Sequence, residues 1–277
     1  MFIIKPILLD APNLGELEKK YLVECIDSTF VSSVGENIDI FENKFAQYLK
    51  AKRAVSTQSG TAALHLALYE LGIGPGDEVI VPVITFVATV NPIKYVGATP
   101  VFVDVDPETW NIDPKEIENH ITEKTKAIIP VHLYGNPCDM DKIMEISKKY
   151  NIPVIEDATE SLGATYKGQF TGTFGELNAF SFNGNKIITT GGGGMIVTND
   201  NKKADHLKFL VNQARDSSKG YYHPEIGFNY RMTNLEASLG LAQFERLPEF
   251  LSKKRKFAEI YKEGFKNNDK IIFQKSY

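Results

Sequence analysis

The chain has 277 residues, which at roughly 150 residues per domain makes one large domain, or one domain and part of another. Hydrophobic residues make up 43% and charged residues 24%, which excludes disordered, collagen-like and coiled-coil chains. A net charge of −4 offers no basic excess for nucleic acid or a membrane surface, and two cysteines are too few for a disulfide framework or a Cys-rich zinc site.

The opening segment, MFIIKPILLD, lacks the basic region and long apolar run of a signal peptide. With Cys25 and Cys138 as the only cysteines, a reducing cytoplasm is the expected setting. Leu14–Thr29 and Asn37–Lys50 then read as amphipathic helices. A short strand over Ala54–Thr57 leads into a helix over about Thr61–Leu71 that carries Leu64, Leu68 and Leu71 at helical spacing. GIGPGDE is turn chemistry. Beyond it come a strand at Glu78–Val81, a helix at Val87–Tyr95 and a strand at Pro100–Val103. The apolar stretch Val79–Val90 is broken by Pro82, Thr85 and Thr89, too short to span a bilayer.

Ala127–Val131 and Pro153–Glu156 read as buried strands flanking a helix over Asp139–Tyr150, with Asp139 as its N-cap. Apolar strands joined by helices predict a doubly wound α/β domain, with a mainly parallel sheet covered on both faces. From Tyr166 to Val197 short strands and turns take over. A helix over Lys202–Gln213, an aromatic loop, a helix over Asn234–Glu245 and, after Pro248, a long charged helix to about Phe265 follow. The last residues, IIFQKSY, read as the start of a strand.

Five segments hold candidate chemistry, each with a structural alternative. Ser59-Gly60-Thr61 opens a helix, where free N–H groups suit a phosphate, or Ser59 is simply a cap. Glu156-Asp157 ends an apolar strand, where ligands collect in open α/β sheets; it either pairs with a buried cation or caps the next segment. Lys186 follows Phe180-Ser181-Phe182-Asn183-Gly184 and precedes Gly191–Gly194. It is a solvated lysine, or a partly desolvated amine able to form a Schiff base. The loop HPEIGFNYRMTN presents Asn229, Tyr230 and Arg231, as a binding element or a structural loop. Phe86 either packs in the core or stacks on a flat ring at the sheet edge.

Taken in order, VSSVGENIDIFENKFAQYL, SGTAALHLAL, VIVPVITFVATVNPIKYVGATPVFVDV, HLYGNPCDM, IEDATESLGATYKG, FSFNGNKIITTGGGGMIVTND and GFNYRMTNLEASLGLAQFERL resemble the DegT-type sugar aminotransferases. These are fold-type I enzymes that use pyridoxal 5′-phosphate (PLP). Within that family, FSFNGNKIITTGGGGMIVTND is similar to the 4-aminotransferases of the bacillosamine and legionaminic acid routes. Those aminate the C4 ketone of a UDP-linked 2-acetamido-4-keto-6-deoxyhexose, for cell-surface glycans.

The resemblance implies that Lys186 forms the Schiff base and shuttles protons, while Asp157 keeps the pyridine nitrogen protonated. It implies that Gly60, Thr61 and Ser181 bind the phosphate, that Phe86 stacks on the ring, and that Asn229 reaches the phosphate of a neighbouring subunit in a homodimer with shared sites. Glu160 and Arg231 fall on the substrate side. The implied substrates are L-glutamate and a nucleotide-linked keto sugar, with no metal. Two features depart from the commonest family pattern: Glu160 replaces a usual Gln or His, and the glycine run lacks its frequent Glu. The resemblance further implies a large PLP-binding domain over 1–246, with an N-terminal helical segment, and the truncated start of a small C-terminal domain over 247–277. Two other readings stand beside the transaminase: a related sugar dehydratase, whose members carry His at the Schiff-base position, and a PLP-binding sensor without turnover.

Overall fold

The computed structural model describes residues 11–277, so the reading of MFIIKPILLD lies outside the described residues. Helix α1 (Glu16–Asp27) and helix α2 (Glu36–Leu49) come first. In α2 the spacing of Ile38, Phe41, Phe45 and Leu49 gives one buried stripe. Strand β1 (Arg53–Thr57) leads into α3 (Gly60–Glu70), which Ser59 caps by accepting the Ala62 N–H at 3.0 Å. The β2 (Glu78–Pro82), α4 (Val87–Tyr95), β3 (Thr99–Val103) unit follows the predicted order.

Helix α5 (Pro114–Asn119) was not expected. Its signals are a capping Asp113 and a proline in the first turn, but six residues are too few for a periodic pattern. Strand β4 (Thr125–Ile128), helix α6 (Met140–Tyr150) and strand β5 (Ile155–Asp157) come next. Asp139 caps α6 as expected. The regular strands are shifted from the expected spans by prolines, which cannot donate to a ladder. Pro130 lies beyond β4, and Pro153 before β5.

The hairpin β6 (Thr165–Tyr166) and β7 (Gln169–Phe170) precedes strands β8 (Leu177–Ser181) and β9 (Gly194–Thr198). Helices α7 (Asn201–Leu210), α8 (Asn234–Glu245) and α9 (Leu247–Phe265) follow. The start of α8 is set by a capping box between Thr233 and Glu236. Pro248 lies inside the first turn of α9 rather than before it, where its missing N–H costs nothing. The expected terminal strand does not form. Residues 271–277 lie along the 106–111 loop, with one backbone bond from Lys275 N–H to Glu108 O, and a single bond makes no ladder.

Four strands pair in the order β1-β9-β8-β5 and three in the order β3-β2-β4. Parallel bridges Ile128–Val154 and Val131–Asp157 join β4 to β5, giving one sheet, β1-β9-β8-β5-β4-β2-β3. Only β9 runs against the rest. The sheet is therefore mainly parallel, as predicted. Alternate residues feed opposite faces. Val55, Val79, Val81, Leu177, Ala179 and Ile196 pack under α3 and α7. Ala54, Phe180, Met195 and Val197 pack with α2 and α8, while Ile80, Ile128 and Val154 meet α6.

Within this layer Glu156 is fully buried and carries no exposed edge. Its carboxylate accepts the N–H groups of Gly172 at 2.7 Å, Phe174 at 2.6 Å and Gly175 at 2.7 Å, and His132 Nε2 lies 2.8 Å away. His132 Nδ1 accepts the Cys138 N–H, which leaves the ring proton on Nε2 to donate to Glu156. Replacing Glu156 with Ala strands four donors in the interior and is expected to cost about 3–5 kcal/mol of unfolding free energy. Urea denaturation measures this; a loss below 1 kcal/mol, roughly the value of a single hydrogen bond, contradicts it.

Candidate active site

The carboxyl ends of β1, β2, β5 and β8 converge on one cavity of about 350 Å³, the lower end of the usual range for ligand pockets. Among its lining residues are Gly60, Thr61, Phe86, Asp157, Glu160, Ser181 and Lys186, with Ser59, Thr89, Thr159, Asn183 and Gly193. Seven of the nine residues singled out in the sequence therefore share one wall system.

At one end lies the N-terminus of α3. Its first N–H groups have no partner within the helix, which favours an anion. A Cβ on Gly60 would sit 2.8 Å from Ser181 Cβ, so Gly60 is what lets the Ser181 hydroxyl approach this helix end. A Cβ on Gly194 would lie 2.5 Å from the Ser59 carbonyl carbon. That glycine brings two backbone segments together and does not itself face a ligand, whereas Gly192 and Gly193 do line the cavity. The two readings of Ser59-Gly60-Thr61 thus coexist: Ser59 caps, and Gly60 and Thr61 face the cavity.

Asp157 lies across the cavity, 3% exposed. Its Oδ2 accepts the Thr89 hydroxyl at 2.6 Å and its Oδ1 accepts the Thr159 N–H at 3.1 Å. Thr89 in turn is 2.6 Å from the Thr85 hydroxyl. Thr89 and Thr159 were not singled out in the sequence. The available signal was a Thr inside the first turn of a helix that begins at the sheet's carboxyl edge. The structure separates the two adjacent carboxylates: Glu156 is consumed by backbone donors and Asp157 faces the cavity.

The side chain of Lys186 is 16% exposed and its Nζ is 3.5 Å from Glu160 Oε1. Glu160 Oε2 accepts the Tyr134 N–H at 2.9 Å. Phe86 is 72% exposed at the mouth and is no core residue. Cys138, next to this region, is buried, and burial together with Glu156, Asp157 and Asp139 pushes its thiol well above its ordinary pKa. It stays a neutral S–H donor to Val131 O and is no nucleophile.

Asn229 and Arg231 are not brought to this cavity. Asn229 is exposed and bridges Asn212. Arg231 lines a separate cavity of about 300 Å³ with Ser33, Asp39 and Lys208, and its Nε has no partner. Their loop is pinned by His206, which lies 2.5 Å from Glu70 and 3.0 Å from Glu225. The ring of His65 also contacts Phe228 and Tyr230.

A helix N-terminus, a buried carboxylate, a largely buried lysine and an exposed aromatic around one cavity suit a phosphorylated pyridine aldehyde. Gly60, Thr61 and Ser181 would hold its phosphate, and Asp157 its ring nitrogen. Residues 12–276 match the DegT/DnrJ/EryC1/StrS aminotransferase family. The chain is 52% identical over 261 residues to GDP-perosamine synthase of Escherichia coli O157:H7, covering 94% of this chain and 72% of that one. It is 41% identical over 229 residues to UDP-2-acetamido-2-deoxy-3-oxo-D-glucuronate aminotransferase of Pseudomonas aeruginosa, covering 82% and 63%. The solved GDP-4-keto-6-deoxy-D-mannose-3-dehydratase of E. coli, with bound hydrated PLP, superimposes with a TM-score of 0.88 at 31% identity, covering 94% of this chain and 72% of that one.

The fold is that of a fold-type I aminotransferase, and the chain is a PLP-dependent sugar aminotransferase. The chain belongs to the DegT/DnrJ/EryC1/StrS aminotransferase family. Among the described residues no helix is long and apolar enough to cross a membrane, and no cluster of metal ligands occurs.

Two outcomes follow. Removing a carboxylate opposite a cation costs about 2–5 kcal/mol, so Asp157→Ala is expected to weaken PLP binding by at least roughly 30-fold. Equilibrium dialysis against PLP reads this, and an unchanged affinity contradicts the assigned role. For His206, burial disfavours its charge, but hydrogen bonds to Glu225 and Glu70 outweigh this and raise its pKa above 6.5. The stability it supplies is complete below pH 6.5 and is lost as pH rises through the raised value. His65, lowered by burial, acts oppositely, losing stability as pH falls below 6.5. Thermal unfolding at several pH values should show His206→Asn flattening the decline on the alkaline side only.

Proposed function

We propose that the protein transfers an amino group from L-glutamate to the C4 ketone of a nucleotide-linked 4-keto-6-deoxy sugar, for cell-surface polysaccharide assembly. The observation that carries this reading is the placement of Lys186, Asp157 and the α3 N-terminus around one cavity. When bound, PLP supplies an electron sink for the carbon that loses a proton. The chain's own groups do the rest. Asp157 holds a proton on the ring nitrogen, and Thr89 and Thr159 fix its orientation. The α3 N-terminus, Gly60, Thr61 and Ser181 anchor the phosphate. Lys186 moves a proton at the reacting carbon, because its amine lies in the cavity and is largely shielded from water. Phe86 covers one ring face and excludes water.

The reading includes a homodimer with shared sites. Supporting it, Val83, Ile84, Phe86, Val87 and Tyr134 leave a large apolar rim exposed around the cavity mouth. Asn229, exposed on its own subunit, would reach the partner's phosphate site. The transaminase is favoured over a dehydratase by Lys186, and over a sensor if glutamate converts the bound cofactor. The UDP-linked 2-acetamido sugar implied by the Lys186 segment stands beside a GDP-linked one, which the relation to GDP-perosamine synthase favours.

Borohydride reduction of the PLP-loaded protein should place the cofactor on the peptide bearing Lys186, and Lys186→Ala should abolish that adduct. Incubation with glutamate and a panel of UDP-, GDP- and dTDP-linked keto sugars should yield one amino sugar; no transfer to any member overturns the proposed reaction. Mixing Lys186→Ala and Asn229→Ala subunits should recover about a quarter of wild-type activity, because half the dimers would be mixed and each would hold one intact site of two. No recovery contradicts the shared site.

A further inference from the structure

Among the described residues, Glu160 is the one acidic side chain facing Lys186 whose role the cofactor does not require. Two features fix where its carboxylate points. Oε2 is taken by the Tyr134 N–H at 2.9 Å, and Tyr134 holds that N–H inward from a left-handed conformation, φ 54°. Gly135 follows at φ 84°, and a Cβ there would lie 3.3 Å from the Glu160 carbonyl oxygen, so this turn closes on the Glu160 backbone as well. Oε1 is therefore left facing the cavity, 3.5 Å from Lys186 Nζ, with the side chain 27% exposed. A carboxylate has acceptor positions only. Lys186 Nζ is the group that Oε1 faces. Once the lysine nitrogen is engaged elsewhere, Oε1 is left without a donor in a partly desolvated wall, which is unfavourable unless the substrate supplies one.

We propose that Glu160 is a specificity-determining residue that demands a hydrogen-bond donor, a hydroxyl or amide N–H, on the sugar carbon next to the ketone. The proposal rests on the sugar-aminating reading above. The ketone carbon must come within bonding reach of the nitrogen that Lys186 serves, so substituents on its neighbouring carbon fall at the distance of Oε1. A donor there takes the place of the lysine nitrogen. A deoxy carbon leaves Oε1 unpaired, and an anionic group is repelled. The substrate class is thus a neutral sugar hydroxylated, or carrying an N-acyl amine, beside its ketone. A site built around such a donor rejects an analogue lacking it, because the acceptor is then left unpaired.

The test uses PLP-loaded protein with two nucleotide-linked 4-keto-6-deoxyhexoses, identical except that one is also 3-deoxy. Wild type is expected to prefer the hydroxylated sugar by on the order of 100-fold in kcat/KM. Glu160→Leu should reduce that preference to a few-fold, with the loss falling on the hydroxylated sugar. Glu160→Gln, whose single oxygen is taken by the Tyr134 N–H, turns an amide donor to the cavity and should also lower the preference. Calorimetric titration with the corresponding 4-amino products should show the same order in Kd, independently of turnover. Equal kcat/KM for both sugars in wild type, or an undiminished preference in Glu160→Leu, overturns the Glu160 assignment while leaving the sugar aminotransferase intact. No amine transfer to either sugar, with the cofactor still converted by glutamate, overturns the reaction proposed above and the Glu160 role with it.

Discussion

A carboxylate buried without a cation has to be surrounded by donors, and Glu156 imposes that condition on the centre of this molecule. It lies inside β5 with no solvent contact and gathers three backbone N–H groups from 172–175 and the imidazole of His132. Those bonds tie the loop before β8 and the turn after β4 to the same strand. His132 passes the constraint on by accepting the Cys138 N–H, which positions the segment leading into α6. The strand ends whose side chains build the cavity are therefore registered to one another by an interaction that takes no part in the chemistry.

The next residue in the strand faces the other way, as strand alternation requires. Asp157 is turned to the cavity with two donors, against the four that surround Glu156. This difference divides the labour. A carboxylate satisfied on all sides has little capacity left for a ligand, whereas Asp157 keeps acceptor positions for one. The lysine follows the same rule of incomplete satisfaction. Among the described residues Lys186 pairs only with Glu160, at 3.5 Å, and it sits beside a loop that glycines bring close to the start of α3. Anion-binding N–H groups, an under-occupied carboxylate and a loosely paired amine end up within one cavity because β1, β2, β5 and β8 all end at the same edge of the sheet.

The second layer of organisation concerns the loop from Gln213 to Arg231. It holds its place through His206 between two carboxylates and through aromatic contacts of His65 with Phe228 and Tyr230. Within one subunit it presents Asn229 outward, away from the cavity. The proposed shared site draws on this placement: Asn229 bridges Asn212 and does not line the cavity of its own chain.

Much of this was written in the sequence, because local rules decide it. The helix starts at Ser59, Asp139 and Thr233 carry their caps in plain view, and apolar runs at β2, β5 and β9 announce a covered sheet. Thr61, Asp157 and Ser181, which line the cavity, were legible because each lies at a strand end or helix start, whereas Lys186 lies in the loop after β8 and stood out by its place before the glycine run. What the sequence by itself did not decide is what depends on distance through space. Two neighbouring acids, Glu156 and Asp157, look alike on paper and differ only in which face of the strand they occupy and what lies opposite. Thr89 becomes a partner of Asp157 across a separation of 68 residues. The antiparallel insertion of β9, the failure of the last residues to pair as a strand and the outward placement of Asn229 all rest on which backbone donors find acceptors. Pairing of that kind is fixed by the packed sheet and cannot be read from periodicity along the chain.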